Sequence, residues 1–146
     1  MAITWILVAN ASLAKLYANL GPNQGLRLVK ELIHPASRQK NSDLVTDRSG
    51  SMASGGGGKG TRQPQTLPKE HEAQVFAQEI ARELYHGRAA NAFARAILVA
   101  PPAFMGMLNT ILDGPTALLV SDRLEKDYTK TPEMALKERL AACIYL

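Results

Sequence analysis

Cysteine is almost missing: Cys143 stands alone in 146 residues, which excludes an internal disulfide framework and suits a reducing compartment. Aromatic residues amount to only 5%, and none lies between Pro35 and Lys69, so that stretch lacks the ring faces that single-stranded nucleic acid stacks upon. No apolar run approaches the roughly 20 residues of a membrane span. The first residues, MAITWILVAN, carry no basic cluster and too short an apolar run for a secretory signal. A soluble, cytoplasmic protein without a membrane span is the expectation.

What is present is a chain that is 46% hydrophobic and 21% charged, suited to one globular domain with a real core. Its net charge of +4 is concentrated. Arg38, Lys40, Arg48, Lys59, Arg62 and Lys69 face only Asp43 and Asp47 within their stretch, leaving eleven charges of each sign elsewhere out of seventeen basic and thirteen acidic. The same stretch is poor in large apolar residues and contains SMASGGGGKGTRQPQ (51–65). Residues 1–146 therefore read as a single domain with a long, flexible, basic loop at about 35–67.

Three strand-like runs precede the loop: ITWILVA (3–9), AKLYANL (14–20) and GLRLVKELI (25–33). Short turns at Asn10-Ala11-Ser12 and GPNQG imply an antiparallel meander, with the continuously apolar first run central and buried on both faces. In the third run Leu26, Leu28, Lys30 and Leu32 alternate with Arg27, Val29, Glu31 and Ile33. After the loop the period becomes helical. Ala73, Phe76, Ala77, Ile80 and Leu84 form one stripe, with Pro68 in the first turn and Gly87 as the terminator. A strand over 93–100, a helix from Pro101-Pro102 to near 113, and a strand over 116–124 follow. A last helix has Thr131 as N-cap, Pro132 at its first position, and Leu136, Leu140, Cys143 and Ile144 as its stripe. The expectation is an α/β fold: a mixed five-stranded sheet with three helices, in the βββαβαβα order of the ribonuclease H-like fold.

The chemistries of such folds meet few matching residues. A two-metal nuclease needs carboxylates on the first and fourth strands, but the first strand carries no acid and runs into Asn10, and the fourth ends in Ala100-Pro101. That leaves Asp122, Glu72 and Glu79 without partners. A phosphate-binding loop fails because Gly58-Lys59 is followed by Gly60 rather than Ser or Thr, and Pro64 and Pro68 separate it from the helix. His71-Glu72 begins a zinc-protease motif whose second histidine position is Val75. His34 and His86 read as isolated surface histidines, Cys143 as a packed thiol, and Asn10-Ala11-Ser12 as a sequon without meaning in a cytoplasmic chain. No catalytic constellation, metal set or cofactor motif emerges.

The stretches TWILVANASLAKLY, ELIHPASRQKNSDLVTDRSG, PKEHEAQVFAQEIARELYHG and ILVAPPAFMGML resemble the bacterial family of proteins required for attachment to host cells. The likeness runs along essentially the whole chain. Its most specific residues are His34, Pro35, Ser37, Arg38, Lys40, Asp43, Leu44, Asp47 and Arg48, then Pro68, Lys69, Glu70, His71 and Glu72, then Val99 to Pro102. That family is in turn similar to the middle domain of archaeal and eukaryotic peptide-chain release factors. The kinship implies a Gly-Gly-Gln tip in the interval occupied here by Gly55 to Gly58, but those glycines lead into Lys59, with Gln63 and Gln65 further on. The glutamine of the hydrolytic tip is thus displaced, and what remains is a cationic arm.

The leading expectation is a non-catalytic binding module whose Arg38, Lys40, Arg48, Lys59, Arg62 and Lys69 contact structured RNA at the ribosome. The alternatives are an interaction protein required for attachment to host cells, and an ester or peptidyl-tRNA hydrolase related to release factors. Short peripheral strands also leave room for a homodimer.

Overall fold

The computed structural model describes residues 2–34 and 68–146. Its centre is β1 (Thr4–Ala9), every residue of which is buried. Six consecutive residues without charge have no solvent face, so their backbone groups need a neighbour on both edges. The first neighbour is β2 (Leu13–Asn19), antiparallel, with Ile6 opposite Tyr17. The second is β4 (Arg95–Val99), parallel, with Ile6 opposite Ile97. The edges of the sheet are β3 (Arg27–Ile33) beside β2 and β5 (Val120–Leu124) beside β4, giving the order β3-β2-β1-β4-β5. The mixed five-stranded sheet and the central place of the first strand agree with the sequence reading.

Two layers cover the sheet. On one face α1 (Pro68–Ala89) lays the expected stripe Ala73, Phe76, Ala77, Ile80 and Leu84 against Trp5, Leu7, Leu16 and Leu98, and α2 (Pro102–Ile111) adds Phe104, Met105 and Leu108. On the other face α4 (Glu133–Arg139) and the chain after it bring Leu136, Leu140, Ile144 and Leu146 against Ile6, Val8, Tyr17, Ile97 and Val99.

Four details depart from the sequence reading. The expected fifth strand over 116–124 begins only at Val120, because Asp113 caps a short α3 (Gly114–Leu118), accepting hydrogen bonds from the Thr116 amide at 3.1 Å and hydroxyl at 2.9 Å. The described residues therefore hold four helices rather than three. The last helix takes Pro132 rather than Thr131 as its N-cap and stops at Arg139. The chain then turns so that the Leu146 carbonyl accepts from the Gly25 amide at 3.1 Å, with Gly25 at φ +69.

The alternation of β3 breaks as well. Tyr17 opposes Leu28 and Leu16 opposes Lys30, so Val29 is an extra residue and the strand bulges. Leu28 then shares the face of Tyr17, while Lys30 turns towards α1 and its Nζ meets Glu83 Oε2 at 2.9 Å. Leu28, Val29 and Ile33 stay exposed along this edge.

Gly87, finally, does not end α1. The helix runs on to Ala89, and Asn91 at φ 58 makes the left-handed turn out of it. Gly87 is needed for contact instead: a Cβ built there would stand 2.5 Å from two atoms of the Trp5 ring, which itself stacks on Phe93 at 4.7 Å. Gly87→Ala is expected to destabilise the fold by about 1–3 kcal/mol through overpacking, read as a lower urea midpoint with an unchanged slope.

Candidate functional site

Because β3 runs parallel to β1, the carboxyl ends of β1, β3, β4 and β5 gather at one end of the sheet. Open α/β sheets place their binding crevices at such ends. Here two polar clusters occupy it.

The first is built on Asn10, the residue that follows β1. Its Oδ1 accepts from the Ser12 and Leu13 amides at 2.8 and 2.9 Å, which shapes the turn into β2. Its Nδ2 donates to Asp127 Oδ2 at 3.0 Å and Thr129 Oγ1 at 3.1 Å, in the segment after β5. Asp127 Oδ1 in turn accepts from the Thr129 amide at 3.0 Å and hydroxyl at 2.6 Å. Lys15 Nζ donates to the Thr129 carbonyl at 3.1 Å. Burial by itself would raise the Asp127 carboxyl. The hydrogen bonds from Thr129 and Asn10, with Lys130 nearby, outweigh that and hold it below its ordinary value of 3.8.

The second cluster is His34 with the first half of α1. The His34 amide donates to the Ser12 carbonyl at 2.9 Å, tying it to the first cluster. Its ring stacks on Phe76 at 5.3 Å, its Nε2 lies 2.8 Å from Glu72 Oε1, and its Nδ1 lies 3.9 Å from Glu79 Oε1. Only 15% of the side chain is exposed. His34 is therefore not the isolated surface residue expected, since Glu72 and Glu79 both face it. Asp122 pairs likewise, with Arg95 at 3.3 Å.

The His34–Glu72 contact joins the last described residue before position 35 to the opening turns of α1. The residue before the 35–67 stretch is thus tied to the helix that follows it. Lys69, Glu70 and His71 are exposed in the first turn beside it. Of the residues expected to matter, His34 is held to Glu72, and Lys69, Glu70 and His71 directly precede that glutamate in α1. Pro35, Ser37, Arg38, Lys40, Asp43, Asp47, Arg48, Lys59 and Arg62 lie outside the described residues.

Asn10, Asp127 and Thr129 were missed as site residues. Their signal is the pair of short Asx patterns, Asn10-Ala11-Ser12 and Asp127-Tyr128-Thr129, which by themselves read as ordinary turns. Elsewhere, Cys143 is half-buried against the second core; burial pushes its thiol up, Asp122 adds to that and Arg95 opposes it. Among the described residues no three His, Cys, Asp or Glu side chains are placed to hold a metal ion, and no helix is long and apolar enough to cross a membrane.

This end of the molecule thus defines a class: an α/β protein with a mixed five-stranded sheet, whose polar clusters pin loops together and hold the roots of one strongly basic segment. A sequence model of the family described as "protein required for attachment to host cells" matches residues 5–140, and the chain belongs to that family. No curated protein matches it.

Asn10→Ala removes both halves of the amide bridge and is expected to cost about 2 kcal/mol of stability, measured by urea unfolding. The lowered Asp127 carboxyl stabilises the fold fully above its ordinary value of 3.8, and that contribution is lost as the pH falls through the lowered value. Asp127→Ala lacks it at every pH, so the gap between wild type and variant should narrow in strongly acidic buffer.

Proposed function

We propose that this protein serves attachment to host cells as a binding module, working through the carboxyl end of its sheet. The observation that carries the reading is the family match over residues 5–140. The geometry supports the choice of face: the whole excess of positive charge lies between Pro35 and Lys69, and His34 before that stretch is held to Glu72 in the helix after it. A partner with an anionic surface fits a segment with six basic and two acidic side chains. The test is adhesion of the producing cells to host cells. Loss on deletion, restored by the wild-type chain but not by one with Arg38, Lys40, Arg48, Lys59, Arg62 and Lys69 changed to Ser, is the expected result. Full adhesion without the protein would sink the proposal.

The concentration of charge also favours a second reading, in which the same six residues contact structured RNA at the translation machinery, in keeping with the likeness to release-factor middle domains. Backbone phosphate contacts release counterions, so affinity should fall with salt at a slope of roughly −0.9 per phosphate neutralised. Filter binding of ribosomal RNA over a salt series tests it. Absent binding, or binding indifferent to salt, removes this reading and leaves the adhesion result untouched.

A further inference from the structure

The opposite end of the sheet holds a cavity of about 510 Å³, lined where β1, β4 and β5 begin. Its walls include Ile3, Phe93, Leu118 and Leu119, and its polar side chains are Asn91 and Arg88, the latter being the only charged residue in the lining among the described residues. The volume falls within the roughly 300–1,000 Å³ of small-molecule sites, which combine apolar walls with a few placed polar groups. Leu118, at the rim, is 86% exposed.

Arg88 is held in place. Its Nε donates to Thr116 Oγ1 at 3.0 Å, and its guanidinium lies over the Tyr85 ring at 5.3 Å. Asp113 Oδ2 stands 3.6 Å away on the same Nε side and already accepts from the Thr116 amide and hydroxyl. Thr116 is fully buried, so the anchor of this arrangement is rigid. Among the described residues, no hydrogen bond or ion pair is made by Nη1 or Nη2 of Arg88. Among the described residues the fork is thus fixed by its Nε edge, with its paired donors left over, beside a largely apolar cavity.

We propose that this cavity binds a small amphiphilic monoanion, an aliphatic chain ending in one carboxylate, with Arg88 as the head-group anchor and Ile3, Phe93, Leu118 and Leu119 against the chain. A planar guanidinium edge matches a carboxylate in two parallel hydrogen bonds. Asp113 already shares the Arg88 charge at 3.6 Å on the Nε side. What the guanidinium has to offer is therefore one pair of Nη donors, which suits one carboxylate, whereas a phosphate dianion would call for further donors. The proposal stands apart from the attachment reading, since the cavity lies at the end of the sheet away from His34 and Asn10.

The test is a titration of the full chain with decanoate, with decanol as the uncharged control, followed by methyl and amide NMR signals. Decanoate should shift Ile3, Leu118 and Leu119 saturably and bind at least tenfold more tightly than decanol. Arg88→Gln should weaken decanoate about tenfold, the scale of a lost charged hydrogen bond, while leaving decanol unchanged. Leu118→Asp, at an exposed position where folding is not at stake, should also weaken decanoate. No shifts, shifts confined to other surfaces, equal binding of the two probes, or wild-type affinity in a folded Arg88→Gln protein would each overturn the proposal. If Arg88→Gln does not fold, wild-type decanoate affinity in Leu118→Asp overturns it.

Discussion

The need to bury β1 on both faces and both edges organises everything else. Thr4–Ala9 offers no side that water can occupy, so the chain must supply a strand on each flank and a layer above and below. The hairpin to β2 meets the first edge with a turn shaped by the Asn10 side chain. The second edge waits for β4, which arrives only after the long crossover through α1. That crossover fixes which end of the sheet collects the turns after the parallel strands, and so where Asn10, His34 and Asp127 assemble.

α1 carries different chemistry on its two flanks. Towards β3 it turns Glu72, Glu79 and Glu83, which meet His34 and Lys30. Towards α2 and α3 it turns Arg82, Tyr85 and Arg88 beside Ile111 and Asp113. Between them runs the apolar stripe that holds the helix to the sheet. The two ends of the molecule inherit this division. One is polar, internally hydrogen-bonded and joined to the basic segment; the other holds a largely apolar cavity with Arg88 on its wall.

Much of the fold is legible in the order of residues. The unbroken apolarity of residues 3–9 announces a doubly buried strand, and the spacing of Ala73, Phe76, Ala77, Ile80 and Leu84 announces the helix that covers it. Errors collect where one residue has two uses. Gly87 reads as a helix terminator, yet it is the place where a Trp5 ring lies against backbone. Asp113-Gly114-Pro115-Thr116 reads as a turn into a strand, yet the Asp113 side chain caps a helix of five residues. Val29 satisfies an alternating pattern, yet the ladder passes it by.

Family membership, the α/β class, the central first strand and the concentration of positive charge between Pro35 and Lys69 all follow from the residues in order, because composition and periodicity are local properties of a chain. The tertiary structure alone decided that His34 lies against Glu72 and that Asn10 reaches Asp127 and Thr129. It also decided that Arg88 is pinned beside a cavity between strands far apart in sequence. Hydrogen bonds spanning 38 and 117 positions leave no periodic trace, since each partner taken singly is an ordinary polar residue in a turn or on a helix.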